Sequence, residues 1–230
     1  LTCDWSSDVC SSDLMGSDVP MAILPGGTAN LMSVELEIPK DLTAAAQIIV
    51  NEDSRIKLVD MGQIGETYFM LRIGLGIAAQ KVELADREMK DKYGILAYSI
   101  AALQALKDAK QVRYKFSLDG EEVEADGVTC LVDNAGNFGV SGFKAHKDIS
   151  IDDGLLDVLI LNQVSKFEFI KVFPKVFKGT HIKHRQVELL RGAKIEIFAD
   201  ATAYADGEYL QPLPVKISVA PKALKLLSPL

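Results

Sequence analysis

The stretch PGGTAN, Pro25–Asn30, joins an apolar, strand-like run (Val19–Leu24) to a helix-like one (Ala29–Leu36). Glycines at such a strand-to-helix turn let the backbone approach an anion closely, and the following helix presents free N–H groups. Thr28 is placed either to cap that helix or to hydrogen-bond a phosphate oxygen. Glycine-rich turns of this kind also occur without a ligand, so this stretch alone leaves a phosphate site and a plain turn equally open.

The first residues differ in character from the rest of the chain. The segment Cys3–Leu14, CDWSSDVCSSDL, back-translates into what looks like a short-read sequencing adapter, so residues 1–14 are set aside as an adapter-derived artefact. Two of the three cysteines leave with this segment, and Cys130, in an apolar run, remains. A lone cysteine of this kind predicts a small buried residue and no disulfide framework, which favours a cytoplasmic location.

Composition limits the classes of function. The 230 residues carry 25 Lys and Arg against 32 Asp and Glu, a formal net charge of −7. Such mild acidity gives no reason to expect nucleic acid as a partner. No apolar run reaches the roughly 18 residues needed to cross a bilayer. The hydrophobic share of 48% is sufficient for a substantial core.

The hydrophobic pattern changes once, near residue 53. Residues 15–52 are typical of the tail of an α/β unit, with a second helix at Leu42–Val50. Residues 53–230 are dominated by strand-like runs with Asp-Gly turn signals, which predicts a β-sandwich with helical insertions at Glu83–Lys107 and Lys166–Lys178. The runs are Arg55–Met61, Thr67–Gln80, Gln111–Leu118, Glu122–Asp133, Leu155–Leu161, Lys194–Ala199 and Pro214–Val219.

Four stretches together carry a resemblance to a known family. They are LPGGTANLMSVELEIP, FMLRIGLGIAAQ with REMKDKYGILAYSIAALQAL, ISIDDGLLDVLIL, and the ADGE of Ala205–Glu208. In this order they resemble the bacterial diacylglycerol kinase-like lipid kinases, which have the diacylglycerol kinase catalytic domain and are related to sphingosine kinases and NAD kinases. The resemblance implies an α/β nucleotide-binding domain (15–52) and a mostly antiparallel β-sandwich (53–230) whose last residues return to the first domain. It also implies ATP and Mg²⁺ as cofactors and a hydroxyl of diacylglycerol or a related lipid as acceptor.

One family element has no counterpart in this sequence. Family members carry GGDGT one helix before the GGTAN element, and the 230 residues contain no GGDGT. The resemblance therefore implies that the first part of the nucleotide domain is missing and that this chain is inactive as it stands.

The resemblance places contacts to the ATP phosphates in the GGTAN element. The residues are Gly26, Gly27, Thr28 and Asn30, and Leu31 stands where the family usually has Asp. Backbone amides do most of the cradling in such loops, so the loss of that carboxylate should not abolish binding.

A second implied site is SIDDGL, Ser150–Leu155. There Asp153 would supply a carboxylate to Mg²⁺, with the backbone carbonyls of Ser150 and Leu155 as partners, an all-oxygen set suited to a hard cation. From the residues alone, an Asp-Gly hairpin turn accounts for the same stretch. Asp152 and Asp157 are less favoured as ligands.

The third implied site is the ADGE motif near the C-terminus. Glu208 would accept the proton of the lipid hydroxyl, with Asp206 assisting by position or charge. The tripeptide Asp119-Gly120-Glu121 is identical, so DGE by itself indicates a hairpin turn, and place in the chain separates the two copies. The loose transition state of phosphoryl transfer needs positioning more than a strong base, so one carboxylate suffices.

Residues 164–185 combine phenylalanines with an excess of lysine. This suits either peripheral contact with the inner face of the cell membrane or a core helix with a solvated basic face, kinked at Pro174. His146, His181 and His184 show no metal-ligand spacing. Two rival functions stay open, a kinase for a soluble acceptor such as NAD and a noncatalytic lipid-binding or regulatory protein. The chain could act as a monomer or as a homodimer.

Overall fold

The computed structural model describes residues 13–27, 30–76, 110–137, 148–163, 187–206 and 208–229. In these ranges two helices precede twelve strands. The helices are α1 (Leu31–Glu35) and α2 (Leu42–Val50). The strands are β1 (Arg55–Ile64), β2 (Thr67–Phe69), β3 (Arg72–Gly76), β4 (Val112–Leu118), β5 (Glu121–Gly127), β6 (Thr129–Asp133), β7 (Leu156–Leu161), β8 (Val187–Gly192), β9 (Lys194–Phe198), β10 (Thr202–Ala205), β11 (Glu208–Pro212) and β12 (Val215–Ser228).

The described strands form two six-stranded antiparallel sheets. The first has the order β2-β1-β12-β9-β4-β5, and the second has the order β11-β10-β3-β6-β7-β8. Consecutive strands often lie in different sheets: the described strands change sheet after β2, β3, β5, β8, β9 and β11. This arrangement confirms the predicted fold class, an α/β remnant followed by a mostly antiparallel β-sandwich.

Alternating side chains build the core between the two sheets. On β6, Cys130 and Val132 are fully buried there, whereas Leu131 between them belongs to the opposite face and is partly exposed. The prediction that Cys130 is a buried small residue is therefore confirmed. The largest fully buried side chains of this core are Phe69, Ile73, Leu75, Tyr114, Phe116, Leu156, Ile160, Ile195 and Ile197. Each contributes about 1.5–3 kcal/mol relative to exposure, so this core is a main source of stability.

A second apolar cluster joins the two helices to one end of the sandwich. Met32 of α1 and Ala45 of α2 pack in it with side chains from strands and loops: Met61, Met70, Ala135, Ile151, Leu224 and Leu226. Asp41 caps α2 by accepting a hydrogen bond from the N–H of Ala44 (2.8 Å). In the described parts of the chain, neither helix has the length and apolar character to span a bilayer.

Strand β12 connects the N-terminal residues with the sandwich. The N–H of Met21 donates to the carbonyl of Lys225 (2.8 Å), and the N–H of Leu227 donates to the carbonyl of Met21 (2.9 Å). The run Val19–Leu24 therefore meets β12 in an isolated parallel bridge at Met21 instead of forming the predicted strand. Among the described residues, those on either side of Met21 form no further strand pairing, so the run is not a strand.

Two predicted strands are each divided by a corner between the sheets. Thr67–Gln80 contains β2 and β3, and Glu122–Asp133 contains β5 and β6, with the members of each pair in different sheets. An apolar run does not reveal such a corner, because the residues on both sides of it are buried. The sequence patterns also miss β8, β10 and β11, whose segments mix charged, small and apolar residues. The predicted insertions Glu83–Lys107 and Lys166–Lys178 lie outside the described residues.

Candidate active site

Within the GGTAN element, Gly26 and Gly27 are exposed and Asn30 is hydrogen-bonded to Gly27. Asn30 Oδ1 accepts a hydrogen bond from the N–H of Gly27 (2.8 Å), and Asn30 Nδ2 donates to the carbonyl of Gly27 (2.7 Å). Asn30 adopts the left-handed conformation with φ 47°, which asparagine tolerates better than most residues. Asn30 therefore gives the loop its shape. Thr28 lies outside the described residues.

The two glycines of this loop differ in the space around them. A Cβ on Gly26 would meet no heavy atom within 4 Å, whereas a Cβ on Gly27 would lie 3.2 Å from Asn30 Oδ1. Gly26 therefore presents bare backbone to open space, which is the property that close approach of a phosphate requires.

Asp206 lies in the turn of the β10–β11 hairpin, and its carboxylate holds a corner of the chain. It accepts hydrogen bonds from the N–H groups of Met70 (2.7 Å), Leu71 (3.0 Å) and Arg72 (2.8 Å). These residues form the corner between β2 in the first sheet and β3 in the second. Burial raises the pKa of Asp206, and the amide hydrogen bonds offset part of the rise. With both oxygens engaged by backbone amides, Asp206 fixes the position of the hairpin.

The first DGE copy has the same architecture on the other sheet. Asp119, in the β4–β5 turn, accepts hydrogen bonds from the N–H groups of Ala193 (3.1 Å) and Lys194 (2.8 Å), where the chain passes from β8 to β9. Both aspartates have positive φ, 50° at Asp119 and 48° at Asp206. Each DGE tripeptide is thus a hairpin turn whose aspartate holds a corner between the sheets.

Glu208 begins β11 directly after the Asp206 turn. It lies opposite Ala205 in the hairpin register and is exposed. The next residue pair of the hairpin, Tyr204 and Tyr209, makes an edge-to-face contact with ring centroids 5.7 Å apart. Glu208 is therefore an accessible carboxylate on a turn whose position Asp206 fixes.

Residues 148–155 form the loop that leads into β7, called the β7 loop below. Asp153 Oδ1 accepts a hydrogen bond from the N–H of Leu155 (3.1 Å), and Asp153 Oδ2 lies 3.5 Å from Arg191 Nη2. Burial raises the pKa of Asp153, and nearby carboxylates act in the same direction, while the Leu155 amide and Arg191 oppose the rise. In the same loop, Ser150 Oγ donates to a carboxylate oxygen of Asp152.

Asp60, on β1, anchors the β7 loop from inside the protein. It is fully buried, with Oδ2 accepting from the N–H of Gly154 (2.6 Å) and Oδ1 accepting from the N–H of Lys222 (2.7 Å). Its own N–H donates to the carbonyl of Ile151 (2.6 Å), and Asn134 Nδ2 donates to its carbonyl (2.9 Å). One buried aspartate therefore ties the β7 loop to β12 and to the end of β6.

A row of four charged side chains crosses the second sheet at the level of these loops. Arg72 on β3 lies opposite Asp133 on β6, which lies opposite Asp157 on β7. Asp157 in turn lies opposite Arg191 on β8. Arg72 Nε is 3.1 Å from Asp133 Oδ1, and Arg191 donates to both oxygens of Asp157 at 2.8 and 3.0 Å. Because Val132 and Val158 point into the core, the alternation places this row on the other face of the sheet.

Each arginine of the row also holds a loop. Arg72 Nη2 donates to the carbonyls of Ala135 (3.0 Å) and Asn137 (2.7 Å), in the segment after β6. Arg191 Nη2 donates to the carbonyl of Asp148 (2.7 Å), the first residue of the β7 loop. The row therefore connects the corner held by Asp206 with the β7 loop.

Among the four side chains of this row, Asp133 has the fewest polar contacts to offset the burial of its charge. It is fully buried, and its oxygens accept no hydrogen bond within the chain as described. Burial raises the pKa of Asp133 to about 6, with Arg72 opposing the rise and Asp157 adding to it. Asp133 therefore changes charge in mildly acidic solution.

The β7 loop suits a hard divalent cation in charge and donor type. Around it, five carboxylates outnumber two cationic side chains: Asp60, Asp148, Asp152, Asp153 and Asp157 against Lys57 and Arg191. Among the residues that the structure describes, no three His, Cys, Asp or Glu side chains converge in a way that could hold a metal ion. A cation here would therefore depend on Asp153 together with backbone carbonyl oxygens and water.

Shared packing places the three predicted sites around one end of the sandwich. The second apolar cluster contains Met32 just after GGTAN, Met70 in the corner held by Asp206, and Ile151 in the β7 loop. Sequence reasoning missed the residues that hold these loops, namely Asp60, Arg72, Asp133 and Arg191. One signal was available, because acidic residues inside apolar strand sequences, such as VDM and LVD, are buried at a cost and need a partner.

Comparisons with known proteins agree with this architecture. Residues 72–228 match the family model described as the YegS C-terminal NAD kinase beta sandwich-like domain, and residues 7–64 match the diacylglycerol kinase catalytic domain. A diacylglycerol kinase of Mycobacterium tuberculosis is 32% identical over 224 residues, which cover 94% of this chain and 71% of the relative. A diacylglycerol kinase of Bacillus subtilis is 27% identical over 198 residues, covering 84% of this chain and 64% of the relative.

A solved structure from Bacillus anthracis shares the fold. It superposes with a TM-score of 0.76 at 23% sequence identity, over 96% of this chain and 72% of that one. At this identity the superposition establishes the fold alone. The sandwich model, however, matches more than half of the chain, and the mycobacterial relative is similar over nearly all of it. The chain therefore belongs to the diacylglycerol kinase-like lipid kinase family.

Proposed function

We propose that the protein is an ATP- and Mg²⁺-dependent lipid kinase that phosphorylates a hydroxyl of diacylglycerol or a related lipid. The observation that carries this proposal is the exposed carboxylate of Glu208, on a hairpin whose turn is held by three backbone amides through Asp206. The names of the relatives supply the acceptor class, since the mycobacterial and Bacillus subtilis proteins are diacylglycerol kinases.

The proposed step is a displacement at the γ-phosphorus of ATP. The lipid hydroxyl oxygen forms the new bond to phosphorus, the bond to the β,γ-bridging oxygen breaks, and ADP leaves. The hydroxyl proton passes to the carboxylate of Glu208. Because the transition state is loose, one accessible carboxylate in a fixed place is sufficient, and Asp206 acts as its positioning residue.

The GGTAN loop is proposed to bind the ATP phosphates through its backbone. Gly26 and Gly27 would present their N–H groups, Asn30 would maintain the loop through its two hydrogen bonds to Gly27, and Thr28 would add a hydroxyl contact. The exposed position of both glycines leaves their backbone accessible to a ligand.

The β7 loop is proposed to hold Mg²⁺ through the carboxylate of Asp153 and the carbonyls of Ser150 and Leu155. When bound, the cation would supply positive charge next to the phosphates. The excess of carboxylates around the loop supports this assignment, because a divalent cation would offset their mutual repulsion.

The missing GGDGT element bears on activity. We propose that the 230 residues alone do not turn over and that activity requires a GGDGT-bearing segment in front of residue 15. The chain preceded by a GGDGT-bearing segment of the family type is called the restored protein below. We further propose a cytoplasmic location with peripheral membrane contact through residues 164–185, which lie outside the described part of the chain.

The test is transfer of labelled γ-phosphate by the restored protein to diacylglycerol, sphingosine and NAD. Labelling of diacylglycerol or sphingosine is the expected result. Labelling of NAD alone would favour a kinase for a soluble acceptor. Absence of any transfer, together with lipid binding that does not depend on ATP, would favour a noncatalytic lipid-binding protein.

A further inference from the structure

Arg191 contacts the β7 loop at both of its ends. Its guanidinium donates to both oxygens of Asp157 (2.8 and 3.0 Å) and to the carbonyl of Asp148 (2.7 Å). It also lies 3.5 Å from Asp153 Oδ2. Asp148 begins the loop, Asp153 lies near its end, and Asp157 belongs to the strand that follows. One side chain on β8 therefore spans the loop from its first residue to β7.

We propose that Arg191 is the positioning residue of the β7 loop, holding Asp148 and Asp153 against Asp157 so that the loop presents its oxygens to a divalent cation. This inference deepens the proposed function and rests on it for the identity of the ligand. Asp157 is 1% exposed, so its two hydrogen bonds fix the plane of the guanidinium within the protein.

Charge and geometry predict opposite effects of Arg191 on cation binding. A guanidinium 3.5 Å from the Asp153 carboxylate repels an incoming divalent cation, so charge alone predicts tighter binding after its removal. Geometry predicts weaker binding after the removal of Arg191. Neither lysine nor methionine has a planar group that can donate to Asp157 and to the carbonyl of Asp148 at the same time. The Asp153 contact is the longest of the four, so the geometric effect is expected to dominate.

The first test needs no cation. Amide hydrogen exchange is measured on the full 230-residue chain for wild type and Arg191→Lys, which keeps the charge and loses the fork. We expect exchange at the Gly154 and Leu155 amides to become at least about tenfold faster in the variant. Arg72→Lys is the matched control. Arg72 forms the other ion pair of the row, but it holds the segment after β6 instead of the β7 loop. Unchanged exchange in Arg191→Lys, or equal loosening of the β7 loop in Arg72→Lys, would overturn the inference.

The second test is Mg²⁺ affinity by calorimetry on the same chain. Arg191→Lys and Arg191→Met are both expected to weaken Mg²⁺ binding by about tenfold or more, the usual effect of losing a residue that orients a metal ligand. Binding by Arg191→Met that equals or exceeds the wild type would overturn the positioning role while the cation site stands. A wild-type chain that does not bind Mg²⁺ would instead overturn the cation site itself, and Arg191 would then position the loop for no cation.

Discussion

Asp133 and Asp157 lie directly opposite each other on β6 and β7, both buried, and each is paired with an arginine on its outer side. The two pairs are not equivalent. Arg191 donates hydrogen bonds to both oxygens of Asp157. Arg72, in contrast, lies within ion-pair distance of one oxygen of Asp133, and its Nη2 donates to backbone carbonyls. Burial is the main cause that raises the pKa of Asp133, and the adjacent carboxylate of Asp157 adds to the rise.

Replacing Asp133 with Asn is expected to remove a pH dependence of folding stability. Because burial raises the pKa of Asp133 from 3.8 to about 6, the folded state holds this proton more strongly than the unfolded state. Stability from this group is present near pH 4 and is lost as the pH rises through about 6, by about 3 kcal/mol. Urea unfolding of the full chain from pH 4 to 7 should show that Asp133→Asn gains stability relative to wild type over this range. Parallel pH profiles would contradict the assignment.

Asp206→Asn is expected to lower the free energy of unfolding by about 1–3 kcal/mol, because an amide nitrogen would replace an oxygen that accepts from the corner amides. Asparagine tolerates the positive φ of the turn, so the loss reports on the hydrogen bonds. Asp119→Asn is the matched control at the equivalent turn, and its smaller expected effect follows from its exposure to water. Equal unfolding midpoints for Asp206→Asn and wild type would rule out the corner as a stabilising contact.

Asp60→Asn should also destabilise the protein by about 1–3 kcal/mol, since the N–H group of either Gly154 or Lys222 would lose its acceptor and an amide nitrogen would face it in a buried position. Asp152→Asn, on the same loop, is the control. Its carboxylate is exposed and pairs with Lys57 at 3.4 Å, so its loss should cost less than about 1 kcal/mol. Thermal unfolding followed by circular dichroism compares the midpoints of the two variants. An Asp60→Asn variant with the same midpoint as Asp152→Asn would refute the anchoring role of Asp60.

Gly26→Ala tests whether GGTAN binds phosphate or is a plain turn. Its Cβ would meet nothing within 4 Å, so the melting temperature should shift by no more than about 2 °C. A methyl group on backbone that must touch phosphate should nevertheless weaken ATP binding to the restored protein by at least about tenfold. Gly27→Ala should affect both quantities, because its Cβ would press on Asn30 Oδ1. Unaltered ATP affinity in Gly26→Ala would favour the plain turn.

The sequence was sufficient for the sandwich because its signals are local. Asp119-Gly120 and Asp206-Gly207 identify two hairpin turns, and alternation around residues such as Val132 identifies a strand. The corners between sheets have no such signal. The corner at Met70 takes its shape from the carboxylate of Asp206, which lies 136 positions later in the chain.

The residues of the candidate site likewise include some with a local sequence signal and some without one. Asp153, Glu208 and the glycines of GGTAN stand in short motifs that can be recognised by resemblance. Arg191 carries no motif, and its role follows from strand register that pairs it with Asp157, 34 positions away. Residues that hold a site from neighbouring strands become visible only when the pairing of those strands is known.

The central claim is that Glu208 accepts the proton of the lipid hydroxyl, and the two DGE hairpins provide the most direct test of it. Turnover of diacylglycerol is measured with labelled ATP for the restored protein, for Glu208→Gln and for Glu121→Gln, the equivalent change in the twin hairpin. The account predicts that Glu208→Gln reduces turnover by about 100-fold or more with nearly intact ATP affinity, while Glu121→Gln retains wild-type turnover. Wild-type turnover in Glu208→Gln would contradict it.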